Sequence, residues 1–143
     1  MVIQRGREQY NYINELAKED VMQWYLEVLK KYVVFNGRSR RKEYWMFALF
    51  NIIIYVVLGF IERLLKMPGI LTGLYTLAVL LPAIAVTIRR LHDTARTGWW
   101  ILIGLVPVVG TIVILIFMVL EGTHGENQYG ADPKQAEAVK IEV

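Results

Sequence analysis

The chain has 143 residues, enough for one ordinary domain, and 55% of them are hydrophobic while only 20% are charged. Lys and Arg number 16 against 13 Asp and Glu, which gives a net charge of +3. The absence of cysteine excludes disulfides, thiolate nucleophiles and cysteine-based zinc sites, and the basic residues are placed beside apolar runs rather than in a nucleic-acid-binding pattern.

The N-terminal part of the chain contains two different segments. Residues 1–20 are polar and mixed in charge, so we expect an extension that forms a short helix or stays loose, and Met22 could serve as an alternative start. Residues 21–35 read VMQWYLEVLKKYVVF, with apolar and aromatic side chains at helical spacing and lysines elsewhere. This pattern predicts an amphipathic helix within residues 21–37 that lies in the membrane interface, with packing on a partner domain as the alternative.

A basic segment, FNGRSRRKEYW at residues 35–45, precedes the first long apolar run. Asn36–Gly37 is a turn signal, and four basic residues follow within five positions. Each basic residue near an anionic leaflet contributes about 1 kcal/mol to binding, so the segment is predicted to hold lipid headgroups. A role in fixing the membrane topology alone is the alternative, with at least equal weight.

Three apolar runs follow, and they lack the polar face of helices in a soluble bundle. Because about 20 apolar residues cross a bilayer, the runs predict transmembrane helices at about residues 45–65, 67–88 and 98–120. The predicted fold is an all-α integral membrane protein in which an interfacial amphipathic helix precedes three transmembrane helices. This membrane domain covers residues 38–121, and a polar tail covers residues 122–143.

The basic residues predict how this bundle is oriented. Lys and Arg are concentrated before residue 45 and in the loop at residues 89–97, so the positive-inside rule places both in the cytoplasm and the tail outside. The sequence PVVG at residues 107–110 leaves one alternative, in which the third run is a re-entrant hairpin. Each arm would be too short to span, and the tail would return to the cytoplasm, beside the other charged motifs.

The loop between the second and third runs reads RRLHDTARTGWW, residues 89–100. If the second helix continues, Arg89 and Asp93 form an i,i+4 pair, and Asp93 lies three residues before Arg96. Asp93 is therefore predicted to hold two arginines in place. Thr97 is predicted to cap the third helix, which Trp99 and Trp100 anchor at the interface.

The adjacent His92 and Asp93 raise the question of catalysis. A catalytic zinc site needs three protein ligands and a water, and this pair does not supply that number. Helical His-x-x-x-His, Gly-x-Ser-x-Gly and phosphate-loop patterns are absent from the sequence. We therefore predict no catalytic residue, no metal site and no cofactor.

Three motifs in order give the chain a family resemblance: residues 24–45, residues 89–100 and GENQYGADP at residues 125–133. The chain resembles the domain-of-unknown-function family 805 (DUF805), in particular its YhaH-like bacterial inner-membrane proteins, over about residues 22–133. In the family pattern the second motif has glycine where this chain has Ala95 and serine where it has Thr97. The resemblance implies a small multi-pass protein of the bacterial inner membrane and implies no reaction.

The functional prediction is a non-enzymatic module that binds anionic lipid headgroups or a membrane-protein partner through one cytoplasmic basic surface. An oligomeric transport or channel subunit and a lipid-acting membrane enzyme are the alternatives, and a homo-oligomer is a further possible assembly. Asp93→Ala is expected to destabilise the loop, and Arg38→Ala or Arg41→Ala to weaken lipid retention. The candidate binding residues are Arg38, Arg40, Arg41, Lys42, Arg89, Arg90, Asp93 and Arg96. The candidate interfacial anchors are Trp24, Trp45, Trp99 and Trp100.

Overall fold

The computed structural model of the chain describes residues 1–17 and 21–135. The regular secondary structure of this part of the chain is helical, apart from one isolated β-bridge between Asn127 and Gly130. The all-α prediction is therefore confirmed for these residues. The elements in chain order are α1 (Val2–Ala17), α2 (Val21–Lys30), α3 (Arg41–Leu65), α4 (Ile70–Asp93), a 3₁₀ helix (Gly98–Leu105) and α5 (Val109–Val119).

The two long helices α3 and α4 form an antiparallel pair, as the first two apolar runs predict. Large apolar side chains on both helices point away from the core, with Val56, Phe60 and Leu77 more than 60% exposed. At the end where the helices are joined, the Glu62 carboxylate accepts hydrogen bonds from the backbone N–H and the hydroxyl of Thr72, at 2.9 and 2.6 Å. Apolar faces outside and paired polar groups inside are typical of membrane helices.

The segment predicted to be an interfacial amphipathic helix contains α2, which ends at Lys30 and is shorter than the predicted 21–37. Its buried side chains Tyr25 and Val28 belong to a core with Phe47 of α3 and residues of α4. The rings of Tyr25 and Phe47 stack with their centroids 5.5 Å apart. The apolar face of α2 therefore packs on this chain's own helical pair, which neither sequence alternative anticipated.

The third apolar run doubles back instead of forming one helix. Its two arms are the 3₁₀ helix and α5, and Trp100 near the start of the first contacts Phe117 near the end of the second, with ring centroids 5.5 Å apart. At about 2.0 Å per residue in a 3₁₀ helix and 1.5 Å in an α-helix, each arm is about 16 Å long, roughly half of a 30 Å hydrocarbon core. The prediction of a continuous third transmembrane helix at 98–120 was wrong: the described chain has two helices long and apolar enough to cross a membrane.

A tight turn at Pro107 and Val108 is the physical reason for the hairpin. Val108 has φ 63° and ψ −62°, and the N–H of Val109 donates to the carbonyl of Pro107 at 2.7 Å, which is a γ-turn. Just beyond it the arms approach closely, because a Cβ on Gly110 would lie 1.7 Å from the carbonyl oxygen of Ile103. The proline and the glycine together reverse the chain where the hydropathy suggests continuity.

Candidate functional site

Five buried charged side chains gather at the end of α3 and α4 where the loop at 89–97 lies. We call this group the arginine cluster. The side chains of Arg38 and Arg90 converge on Asp93, and Arg89 pairs with Glu43. Every residue of the group is less than 9% exposed. The members of the arginine cluster are Arg38, Glu43, Arg89, Arg90 and Asp93.

Arg38 joins all three sequence motifs through one guanidinium group. Its Nε donates to Oδ1 of Asp93 at 3.0 Å. Its two terminal nitrogens donate to tail carbonyls, Nη1 to Gly125 at 2.6 Å and Nη2 to Thr123 at 2.5 Å. Because a guanidinium has five N–H donors in a fixed fork, one arginine can hold the carboxylate and the tail together.

Arg90 ties the end of α5 to the same carboxylate. Its Nη1 donates to Oδ2 of Asp93 at 2.5 Å, its Nε donates to the carbonyl of Met118 at 3.3 Å, and its Nη2 donates to the carbonyl of Leu120. The last carbonyls of a helix lack intrahelical partners and carry partial negative charge. Arg90 therefore satisfies the C-terminal end of α5 and fixes it beside α4.

Arg89 has a different partner from the one predicted. Its Nη1 donates to Oε1 of Glu43 at 2.8 Å, between side chains only 2% and 6% exposed. The expected i,i+4 pair of Arg89 with Asp93 is therefore wrong, since the Asp93 carboxylate holds Arg38 and Arg90. Asp93 does fix two arginines, but they are Arg38 and Arg90, not Arg89 and Arg96, the two that its spacing indicated. Sequence reasoning missed Glu43, because its partner is 46 residues away and no local spacing links them.

The tail folds over the cluster in a set of hydrogen-bonded turns. Thr123 N–H donates to the Asp93 backbone carbonyl at 2.8 Å, and Asn127 Nδ2 donates to the His92 carbonyl at 3.0 Å. Gly122 lies so close that a Cβ there would be 2.1 Å from Oδ2 of Asp93. The third motif is thus in direct contact with the second, as the hairpin alternative predicted and the three-helix arrangement did not.

Asp132 organises the turn at the end of the tail. It accepts hydrogen bonds from the backbone N–H groups of Gly125 and Lys134, both at 3.0 Å. Burial raises the pKa of Asp132, but these two donors and the nearby charges of Arg38 and Lys134 together lower it by more, so the pKa lies below its ordinary value. The carboxylate is ionised at neutral pH and acts as an acceptor for the turn.

His92 has structural contacts and no catalytic partner among the described residues. Its ring stacks on Tyr129 with centroids 4.0 Å apart and an angle of 4°. Its Nδ1 donates to the carbonyl of Gly37 at 3.0 Å. The neighbouring Asp93 carboxylate points to arginines instead of the imidazole. Groups of three or more His, Asp or Glu side chains that could hold a metal ion are absent from residues 1–17 and 21–135.

The outer basic residues remain accessible beside the cluster, and we call Arg40, Arg41 and Lys42 the basic rim. Arg40 and Lys42 lie over the ring of Trp24, at 5.5 and 5.0 Å from its centroid. Arg41 is 44% exposed and faces Glu121 at 3.9 Å. Arginine or lysine over an aromatic ring is a cation–π arrangement that keeps the charge near the surface.

Two further loop residues differ from their predicted roles. Arg96 lies over the ring of Phe117, with its guanidinium carbon 4.3 Å from the centroid, so it does not pair with Asp93. Thr97 precedes the 3₁₀ helix, but its side chain makes no capping hydrogen bond. Ala95 has φ 57°, a left-handed conformation that favours glycine, which is the residue the family pattern has at this position.

The structure therefore divides the eight predicted binding residues into two sets. Arg38, Arg89, Arg90 and Asp93 are buried and bonded to protein groups, whereas the basic rim and Arg96 are partly or fully exposed. The tail residues that complete the cluster were missed as site residues because the predicted third crossing placed them on the far side. The PVVG sequence was the signal that could have found them.

Comparison with known proteins agrees with these motifs. The family model described as "Protein of unknown function (DUF805)" matches residues 32–131. Inner membrane protein YhaH of Escherichia coli K12 is 52% identical over 118 residues, covering 79% of this chain and 98% of YhaH. Inner membrane protein YhaI of the same strain is 54% identical over 114 residues, covering 79% and 97% of the two chains. Solved structures give no match.

Proposed function

The chain belongs to the DUF805 family of proteins of unknown function, and from that premise we propose that it is a non-enzymatic inner-membrane protein that binds anionic lipid headgroups through its basic rim. The observation that carries the proposal is the exposure of this rim beside a buried cluster whose arginines form ion pairs within the protein. The rim lies at the start of α3, beside an aromatic ring. Cations and tryptophan at a helix end are suited to the headgroup region of a bilayer.

The lengths of the helices support two crossings and one hairpin that enters from the rim side. The 25 residues of α3 and 24 residues of α4 extend about 36 Å at 1.5 Å per residue, which exceeds a hydrocarbon core of about 30 Å. The two 16 Å arms of the hairpin suit a re-entrant segment instead. The excess of Lys and Arg at this end supports a cytoplasmic position for the N-terminal region, the loop and the tail together.

The burial pattern favours lipid contact by the exposed basic residues over contact by the buried ones. Arg38 and Arg90 already donate hydrogen bonds to a carboxylate and to backbone carbonyls. A lipid phosphate could bind them only if those hydrogen bonds were broken. Arg41 and Lys42 are exposed, so a headgroup can reach them from outside the protein. Each rim residue near an anionic leaflet contributes about 1 kcal/mol.

The contacts of the buried polar residues favour this function over the two alternatives. An enzymatic site would need a base or a nucleophile poised in a cleft, whereas His92 is stacked on Tyr129. A transport path would need intramembrane ionisable groups facing water, whereas Glu62 is tied to Thr72 at a helix junction.

We expect the Arg41→Ala variant to retain anionic phospholipid about fivefold more weakly than the wild type, because it loses about 1 kcal/mol of headgroup attraction. Native mass spectrometry of the purified protein, titrated with phosphatidylglycerol, measures the fraction carrying lipid. The triple variant Arg40→Ala, Arg41→Ala, Lys42→Ala is expected to lose most of the preference for phosphatidylglycerol over phosphatidylethanolamine.

Arg63→Ala is the matched control, because Arg63 is an exposed arginine at the opposite end of α3. Its lipid adducts should equal those of the wild type. Unchanged lipid preference in the triple variant would contradict the proposal. A membrane protein that copurifies with the wild type and is lost from the triple variant, with lipid adducts unchanged, would assign the rim to a protein partner and would also contradict it.

A further inference from the structure

An open groove with a volume of about 200 Å³ lies between α3 and α4 on their membrane-embedded surface. Its wall is mostly apolar and contains two small residues, one on each helix, which leave the space between them. The residues that define the groove are Tyr44, Phe47, Ala48, Asn51, Ala83 and Thr87.

The polar groups in the groove are already hydrogen-bonded within the protein. Asn51 donates from Nδ2 to the carbonyl of Phe47 at 2.7 Å, and its Oδ1 accepts from the Tyr75 hydroxyl at 2.6 Å. The Thr87 hydroxyl donates to the carbonyl of Ala83 at 2.7 Å. Satisfied groups offer little to a polar solute, so the groove is suited to an occupant that makes van der Waals contacts.

The depth of the groove corresponds to one leaflet. On α3 it runs from Tyr44 to Tyr55, which is about 16 Å at 1.5 Å per residue. A bilayer has a hydrocarbon core of about 30 Å, so each leaflet contributes roughly half of it. The groove therefore begins at the charged end of the helices and ends near the middle of the membrane.

An exposed cation precedes the first groove residue of α3 in the sequence. Arg41 precedes Tyr44 by one helical turn, and its side chain is 44% exposed. Trp45 follows Tyr44, and its ring nitrogen donates to the carbonyl of Met118 at 3.3 Å, which places an aromatic side chain at the same level. A cation followed by an apolar groove one leaflet deep is suited to a phospholipid whose headgroup lies at the charged end of the helices. One acyl chain of that lipid would extend along the groove toward the middle of the membrane.

We propose that this groove holds an acyl chain of an anionic phospholipid of the rim-side leaflet, with the headgroup phosphate at Arg41. The proposal rests on the lipid-binding function above and adds a specific place for the chain. Headgroup attraction would come from the basic rim, and the time a lipid stays bound would come from the groove.

Filling the groove tests the proposal. In Ala48→Phe the new ring occupies the space between the helices, and we expect about tenfold weaker retention of both phosphatidylglycerol and phosphatidylethanolamine, the loss of contact with about two methylene groups. Ala78→Phe is the matched control, since Ala78 is an exposed residue of α4 outside the groove. Native mass spectrometry at increasing collision energy measures the retention of each lipid.

The outcomes separate this inference from the proposed function. Equal lipid retention by Ala48→Phe and Ala78→Phe overturns the proposal that the groove binds an acyl chain. If the preference for anionic lipid still depends on Arg41, headgroup binding by the basic rim stands. A third outcome is that the wild type dimerises and that Ala48→Phe abolishes the dimer while lipid retention stays unchanged. In that case a second copy of the chain occupies the groove, and the inference fails.

A measurement on the unaltered chain guards against a folding defect in Ala48→Phe. Phosphatidylglycerol with a diazirine in its acyl chain is photolysed on the wild-type protein in vesicles, and labelled positions are mapped by peptide mass spectrometry. We expect labelling at Ala48 and Ala83 to exceed labelling at Ala78 severalfold. Equal labelling of the groove positions and the exposed position would overturn the proposal.

Discussion

Asp93→Asn is expected to lower the free energy of unfolding by about 3–5 kcal/mol, the cost of leaving a buried charge without its partner. The Asp93 carboxylate is the common acceptor for Arg38 and Arg90, and the three side chains are less than 9% exposed. The asparagine amide keeps the size of the side chain and removes its charge. Chemical or thermal unfolding of the purified protein in detergent measures the loss.

Glu121→Gln is the matched control, because the Glu121 carboxylate also faces an arginine but at 3.9 Å and with side chains 44% and 52% exposed. An exposed pair of this kind contributes at most about 1 kcal/mol. We expect Arg38→Ala to resemble Asp93→Asn, which replaces the expectation that Arg38 acts mainly in lipid retention. Equal, small effects of Asp93→Asn and Glu121→Gln would show that the cluster does not hold this end of the protein together.

Gly110→Ala is expected to destabilise the protein by about 3 kcal/mol, at the upper end of the cost of overpacking, because the added methyl meets backbone. Its Cβ would lie 1.7 Å from the carbonyl oxygen of Ile103 and 2.7 Å from the carbonyl carbon. A carbonyl cannot turn away as a side chain can, so the two arms of the hairpin must separate. Loss of the close contact between the arms would also weaken the link between α5 and Arg90.

Gly104→Ala serves as the control on the opposite arm. A Cβ there would meet the end of the Ile114 side chain, Cδ1, at 2.8 Å, and that methyl group can rotate away. We expect a loss of less than about 1 kcal/mol for Gly104→Ala in the same unfolding experiment. A Gly110→Ala protein as stable as Gly104→Ala would rule out the packed hairpin.

The long helices could be predicted from the sequence because hydropathy and length are local properties. Residues 45–65 and 67–88 are predominantly apolar and fall within α3 and α4 apart from the junction at residues 67–69. Residues 98–120 have the same local properties, but their path depends on where the last carbonyls of α5 find donors. Those donors belong to Arg90 and Arg41, which are distant in the sequence from α5.

The candidate site was predicted in part for a related reason. The motif spacing identified Asp93 as an acceptor for two arginines but indicated Arg89 and Arg96 instead of Arg38 and Arg90. It did not reveal that Glu43 neutralises Arg89 or that Tyr129 covers His92, since both contacts join segments separated by more than 35 residues. The arginine cluster differs from the basic rim in the burial of its side chains. That burial depends on the tail folding back over the cluster, so the local sequence does not predict it.

The sidedness of Gln128 tests the central claim most directly, namely that the hairpin returns the tail to the loop. The chain contains no cysteine, so single cysteines at Gln128, at Ala95 in the loop and at Pro68 in the α3–α4 connection can be labelled one at a time with a membrane-impermeant maleimide. All three positions are exposed. The account predicts that Gln128→Cys is labelled from the same side of the membrane as Ala95→Cys and from the side opposite to Pro68→Cys; labelling of Gln128→Cys from the side of Pro68→Cys would contradict it.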